Sequence, residues 1–272
     1  MNWKTLLRAA VTQTPIGGAL RHVPMVEKAF ARRTLRRTDD VVLFAGVYES
    51  YAAADRAIPD SRKHGWDNQE AASRYMFQID YMLPTTYATF FWLSKLLQPQ
   101  STLLDYGGNI GLSYYGYVKR RELPAGAHWV IVELPQLVAI GTKMAQRQKA
   151  AQLEFATDLT SAPACDILLS AGALQYMENS VPGLLEKMAA RPKHVLLNKV
   201  PLHRERSYWT LQNFGNAVSP YRIYKEDEFL GYFEKAGYVL RDRWAVPELS
   251  CAIPFHPREY VKEFAGMYWE RK

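Results

Sequence analysis

Between Ser101 and Val200 short apolar runs alternate with helix-length segments, and this alternation limits the available folds more than any other feature of the sequence. Leu103-Leu104, WVIVE (129–133), LEFA (153–156), CDILLS (165–170) and HVLLNKV (194–200) read as strands. LSYYGYVKRR (112–121), PQLVAIGTKMAQRQ (135–148) and the stretch from Pro182 to Ala190 read as helices, with Pro135 suited to a first helical turn. Short apolar strands separated by helices assemble into a parallel, doubly wound sheet. The end departs from that rhythm. EDEFLGYFEKAGY (226–238) is an amphipathic helix stopped at Gly237, and it feeds YVLRDRWAV and LSCAIPF. A turn at Pro247-Glu248 joining those two runs is too short for a parallel crossover, so they are expected to form an antiparallel hairpin.

The first hundred residues read differently. Residues 1–40 form a basic arm and residues 41–98 a mostly helical cap, with helices expected near Val26–Arg37 and Pro84–Leu97. A polar loop, PDSRKHGWDN (59–68), interrupts the cap. Residues 1–38 hold eight basic side chains against one acid, Glu27, which is the whole net charge of +7; beyond them the two signs balance at 26 each. A neutral body argues against a catalytic surface that grips nucleic acid, and a local basic arm suits an anionic membrane surface. Trp3, Leu6, Leu7, Ala10 and Val11, at helical spacing beside Lys4 and Arg8, fit the same peripheral contact, although a basic helix packed on its own protein has the same pattern. No apolar run approaches the ~20 residues of a membrane span, and Arg8 interrupts what would be the core of a signal peptide. Cys165 and Cys251 have neither CxxC nor metal-ligand spacing, so no metal is expected and a reduced, cytoplasmic compartment is.

The chemistry concentrates in LLDYGGNIG (103–111), an acid followed by three glycines within five positions. A P-loop requires GxxxxGK[ST], but Gly107 and Gly111 are four apart and Leu112-Ser113 follows. A dinucleotide fingerprint requires GxGxxG; counted from Gly107, Asn109 and Leu112 stand at the later glycine positions, and from Gly108, Ile110 and Ser113 do. What remains is an acid and then GxGxG with Asn109 in the middle. Asparagine is among the few non-glycine residues that tolerate a left-handed backbone.

Asp105, Gly107, Asn109 and Gly111, with the adjoining Gly108, resemble the cofactor loop of class I S-adenosylmethionine-dependent methyltransferases. The resemblance covers about residues 99–256. It implies a Rossmann-like, doubly wound, seven-stranded α/β sheet with a C-terminal antiparallel hairpin, and S-adenosylmethionine as cofactor, released as S-adenosylhomocysteine. Glu133, 22 residues after Gly111, matches the family's ribose-binding acid. Leu134 matches a residue facing the adenine, and Asp158 one near the adenine amine, though a turn or N-cap aspartate is an equal reading of Asp158. Segment 170–179, which holds Ser170 and Gln175, resembles the part of the family beside the methionine moiety. It has no [DN]PP[YF] motif, so methylation of a nucleic-acid base is not expected.

ELPQLV (133–138) resembles plant-type small-molecule O-methyltransferases, but Gln175 stands where they carry a histidine base. His203, in VPLHRERSYW beyond the fifth strand, and His64, beside Trp66 and Asp67, are the remaining candidates to take a hydroxyl proton. Trp66, Tyr208 and Trp209 could stack on sugar rings, and Arg204 and Arg206 could hold a phosphate. GVYESYAAA with GWDN, and later QNFGNAVSPYRIY, resemble a group of methyltransferases associated with bacterial surface-polysaccharide biosynthesis. That resemblance implies O-methylation of a sugar hydroxyl in a glycan or lipid-linked saccharide. A natural-product O-methyltransferase, a cofactor-binding protein without catalysis, and an RNA methyltransferase recruited by the basic arm are the alternatives.

Overall fold

The structure, a computed structural model, describes residues 24–39, 41–178 and 181–272; the side chains of Pro24, Lys63, His64 and Ala71 lie outside that description. Residues 1–23, with the proposed amphipathic segment, are also outside it. In chain order the first elements are α1 (Pro24–Leu35), β1 (Leu43–Tyr48), α2 (Tyr51–Asp55), β2 (Lys63–His64), α3 (Gln69–Ser73), α4 (Phe77–Asp80) and α5 (Pro84–Leu96). There follow β3 (Thr102–Tyr106), α6 (Leu112–Val118), β4 (His128–Val132), α7 (Pro135–Gln148), β5 (Leu153–Ala156), β6 (Ile167–Ala171), α8 (Val181–Lys187) and β7 (His194–Val200). The last are β8 (Leu202–His203), β9 (Tyr208–Asn213), β10 (Ala217–Lys225), α9 (Glu226–Lys235), β11 (Tyr238–Val246) and β12 (Phe264–Arg271). Among the described residues no helix is long and apolar enough to cross a membrane.

Two compact units divide the chain. The larger comprises residues 67–200, 227–246 and 265–272. Its seven-stranded sheet has the order β11-β12-β7-β6-β3-β4-β5. β3 pairs in parallel with β4 and β6, β4 with β5, and β6 with β7, whereas β12 runs antiparallel to β7. The chain leaves β3 toward β4 and β5 on one side and later returns to β6 and β7 on the other. The carboxyl end of β3 is therefore the topological switch point, where such sheets bind ligands. Helices cover the strands, which explains why these read as unbroken apolar runs. Leu103, Trp129, Ile131, Ile167, Leu169 and Leu196 are essentially fully buried in one core with Leu93 and Tyr117; burying a side chain such as Leu103 contributes about 2 kcal/mol.

The smaller unit comprises residues up to 66, 201–226 and 247–264. β1, β9 and β10 form an antiparallel meander in space, with β2 and β8 each adding in parallel to β10. Leu35, Ala45, Ala54, Ile58, Trp209, Leu211 and Val218 make its core.

Two expectations need revision. Within 41–98, Leu43–Tyr48 is a strand paired with β9, and residues from Asp67 onward belong to the larger unit. LSCAIPF is not the hairpin partner of β11: Cys251 makes only an isolated bridge with Val261, and β12 takes the place beside β11. Lys272 N–H donates to Gly237 O, and Arg241 pairs with Glu270, so residue numbers run in opposite senses and β11 and β12 are antiparallel. The apolar character of LSCAIPF comes from burial in the smaller unit, where Cys251, Ile253 and Phe255 are enclosed and the Phe255 ring meets Phe30 edge-on at 5.4 Å.

Candidate functional site

β3 ends at Tyr106 and turns at once. Gly107 has φ 74° and still donates its N–H to Val132 O at 2.9 Å, so the ladder to β4 continues into the turn. A Cβ at Gly107 would lie 2.1 Å from the Ala173 Cβ, and one at Gly108 would lie 2.7 Å from the Asp105 carboxylate. Asn109 takes the left-handed conformation, φ 56°, and its Oδ1 accepts from Ile110 N–H at 2.7 Å. Gly111, φ 100°, opens α6. The backbone thus folds directly over the β3 carboxylate, a path that only these small or left-handed-tolerant residues permit.

Asp105 is fully buried beneath that loop. Trp129 Nε1 donates to its Oδ2 at 3.3 Å, while Oδ1 meets no hydrogen-bond donor among the described residues. Burial pushes this carboxyl up to about 7; the Trp129 bond opposes the rise and the neighbouring Glu133 charge adds to it. Glu133, at the end of β4, accepts from Asn109 N–H through Oε1 at 3.1 Å and from Leu134 N–H through Oε2 at 2.7 Å. Burial raises its pKa as well, against the two backbone bonds, and the Asp67 charge raises it further. The glycine turn and the acid after the next strand are therefore joined by a direct hydrogen bond. A carboxylate offers about four lone-pair positions, so Glu133 keeps acceptor capacity beyond these two bonds.

Leu134 is exposed at the start of α7, beside Glu133. Asp158 caps the 3-10 turn Leu159–Ser161 through Thr160 N–H at 2.9 Å, and that bond holds its pKa below the usual carboxylate range. Ser170 is buried, and its hydroxyl donates to Tyr106 O at 3.0 Å, which ties β6 to the end of β3. Gln175, also buried, donates from Nε2 to Gly172 O at 2.8 Å, and its Oε1 meets no donor among the described residues.

Asp67 is a contributor that the sequence pattern does not single out for this place. Its carboxylate accepts from Gln136 N–H at 2.8 Å, and Gln136 Nε2 returns a bond to Asp67 O at 2.9 Å. The α7 terminus has no cap from its own side chains, so GWDN supplies one from distant sequence and places a third carboxylate by Glu133. Among the described residues no group of three or more His, Cys, Asp or Glu is arranged to hold a metal ion.

The candidate bases lie in the smaller unit. His203 is buried rather than an exposed loop residue. Its Nδ1 accepts from Glu205 and Arg206 N–H at 3.2 and 3.3 Å, and its Nε2 lies 2.8 Å from Arg258 O. With Nδ1 accepting and Nε2–H donating, the neutral ring has no lone pair left for a substrate proton. His64 lies in the short β2, where its backbone pairs with Val218. Tyr208 and Trp209 are core residues, Trp66 stacks on Phe214 at 4.0 Å, and Arg206 is paired with Glu259 and Glu49.

No protein-family model matches the sequence, and no curated protein matches it in sequence. Solved structures do match in fold. Geranyl diphosphate C-methyltransferase from Streptomyces coelicolor A3(2), solved with Mg2+, geranyl diphosphate and S-adenosyl-L-homocysteine, superposes with a TM-score of 0.50 at 12% identity over 92% of this chain and 100% of that one. A chain from the complex of the Haloferax volcanii Trm112 methyltransferase activator with a candidate methyltransferase gives 0.52 at 13% identity, over 78% of this chain and 99% of that one. At such identities the likeness is one of fold. The chain has the Rossmann-like fold of S-adenosylmethionine-dependent methyltransferases.

Proposed function

We propose that the chain is an S-adenosylmethionine-dependent methyltransferase whose acceptor is a sugar hydroxyl in a glycan or lipid-linked saccharide. The observation that carries the donor half is the Asn109–Glu133 hydrogen bond at the switch point, with the orphaned Asp105 oxygen buried beneath the same turn. These groups fit the cofactor. Glu133 retains lone pairs for two ribose hydroxyls, Leu134 offers an exposed apolar face for adenine, and Gly108 lets the backbone pass close against the Asp105 carboxylate. The cofactor supplies a methyl group already activated on a sulfonium. The chain's own task is then to hold the acceptor oxygen in line and to exclude water. His203 is not assigned the proton, because both ring nitrogens are committed. The sugar acceptor rests on the resemblance of 46–54, 65–68 and 212–224 to the polysaccharide-associated group.

Calorimetry with S-adenosylhomocysteine tests the donor half. Wild type is expected to bind, and Glu133→Ala to bind about 10–100-fold more weakly, the worth of one or two hydrogen bonds to a charged group. Unchanged affinity in that variant, with its fold intact, removes Glu133 from the site. A wild type that does not bind at all ends the methyltransferase reading.

Peripheral membrane contact belongs to the same proposal. On α1, Lys28, Arg32 and Arg33 are exposed together with Met25, as is Arg36 just beyond its end. Co-sedimentation with vesicles containing about 30% phosphatidylserine is expected to fall steeply between 50 and 300 mM salt and to vanish with neutral vesicles, because screening shortens to a few ångströms across that range. Equal recovery with both kinds of vesicle overturns the electrostatic contact.

A further inference from the structure

We propose that Asp67 is a second ribose-binding carboxylate of this centre, taking one hydroxyl of the cofactor's cis diol while Glu133 takes the other. The proposal rests on the methyltransferase reading and deepens it, dividing the diol between two residues from distant parts of the sequence.

The first N–H groups of α7, like those of any helix, have no partner within the helix. Two carboxylates serve them. Glu133 Oε2 accepts from Leu134 N–H at 2.7 Å, and Asp67 Oδ1 accepts from Gln136 N–H at 2.8 Å. The two amides belong to residues one apart from Pro135, so both acids stand at the same helix start, beside exposed Leu134. Gln136 Nε2 donates in return to Asp67 O at 2.9 Å, which fixes the Asp67 backbone as well as its side chain. Two bonds spanning 69 positions of sequence therefore build this place.

A cap does not need the charge. Asparagine and serine cap a helix about as well as aspartate, and Glu133 already supplies the negative charge that the α7 dipole favours. The second charge is costly here. Burial raises the Glu133 pKa, and the Asp67 charge raises it further, as like charges in one place do. Among the described residues neither carboxylate is paired with a basic side chain. Asp67 is half-buried, and among the described residues its carboxylate meets one donor, Gln136 N–H, so its second oxygen is uncommitted.

Two neighbouring acceptors without a cation call for a ligand with two donors. A ribose cis diol has hydroxyls on adjacent carbons, one for each carboxylate. A different observation marks the place as a ligand site. Asn109, whose N–H holds Glu133 Oε1, belongs to the turn over fully buried Asp105, and Asp105 Oδ1 meets no donor among the described residues. The charge at Asp67 thus adds to a site that is already short of donors.

The test is calorimetry on the full chain with S-adenosylhomocysteine and with its 2′-deoxy and 3′-deoxy analogues. Asp67→Asn keeps an oxygen for Gln136 N–H, so the α7 cap and the melting temperature are retained while the ribose acceptor is removed. The variant is expected to bind S-adenosylhomocysteine about tenfold more weakly than wild type, the worth of one hydrogen bond to a charged group. One analogue lacks the hydroxyl that Asp67 holds, and on it wild type and Asp67→Asn are expected to agree within about twofold, while the other analogue keeps the difference. A residue that only caps α7 would weaken all three ligands equally. That result, or equal binding of S-adenosylhomocysteine by wild type and Asp67→Asn, overturns the proposal. Failure of wild type to bind S-adenosylhomocysteine is the separate outcome that removes the methyltransferase reading instead.

Discussion

Gly107→Ala lowers the melting temperature by about 4–20 °C and abolishes measurable binding of S-adenosylhomocysteine. Two costs add at this position. The first is conformational: φ 74° places an added Cβ in the left-handed region, worth about 1–2 kcal/mol. The second is steric. The new methyl would stand 2.1 Å from the Ala173 Cβ, an atom fixed to backbone, so the loop or segment 172–176 must shift, at about 1–3 kcal/mol. Together they amount to about 2–5 kcal/mol, and each kcal/mol is worth about 2–4 °C in a chain of this size. Gly237→Ala is the internal control. Its φ is 89° but nothing among the described residues lies within 4 Å of the added Cβ, so only the first cost applies and the melting temperature falls by about 2–8 °C. Ala173→Gly in the Gly107→Ala background removes the steric part alone and brings the double variant close to Gly237→Ala. Gly107→Ala melting no lower than Gly237→Ala would show that the turn does not abut Ala173.

The elements read best from sequence are those whose neighbours impose no polar exception. PQLVAIGTKMAQRQ forms α7 residue for residue, with proline in its first turn and Lys149 in a left-handed C-cap. LEFA and HVLLNKV are β5 and β7 as written: β7 is a central strand buried along most of its length, so the apolar run is the pattern, and β5 is a short edge strand marked by buried Leu153. β9 escapes the same reading because YWTLQN is buried along its whole length yet half polar. Its polar members are satisfied by particular partners: Asn213 Nδ2 donates to Thr34 O and Arg37 O, and its Oδ1 accepts from Arg62. No local periodicity announces bonds spanning so much sequence. The candidate site divides in the same way. Asp105, Asn109 and Glu133 are legible because strand ends and a glycine turn fix where they lie. Asp67 reaches α7 through a cap supplied from far away in the sequence, which no pattern along α7 itself announces.

Asp105→Asn gains stability at alkaline pH and loses cofactor affinity, with both effects governed by the same proton. Burial raises the Asp105 carboxyl from 3.8 to about 7 in the folded chain. For an acid whose folded pKa lies above its unfolded value, the native state holds more protons between the two. Stability therefore falls as pH rises from about 4 to about 7 and is level beyond. Asparagine keeps an oxygen for the Trp129 indole and has no charge to bury. Its advantage is absent at pH 4, grows through pH 5 and 6, and reaches at most about 4 kcal/mol above pH 7, three pH units at about 1.4 kcal/mol each. Thermal unfolding at pH 4.5, 6 and 8 reads this directly: the difference in melting temperature between variant and wild type widens with pH. A constant difference would show that Asp105 is ionised throughout and that its burial is relieved. Binding runs the other way. A cationic methyl donor favours the ionised carboxylate, so wild-type affinity for S-adenosylmethionine rises from pH 6 to pH 8 as binding displaces the Asp105 proton. Glu133, also raised by burial, moves affinity in the same sense. The Asp105→Asn variant keeps only that smaller Glu133 dependence, and its affinity at pH 8 is about tenfold or more below wild type, the loss of a hydrogen bond or charge contact made by a buried carboxylate. Greater stability combined with weaker binding is what a group retained for its ligand produces, since a purely structural aspartate would lose stability when its charge is removed.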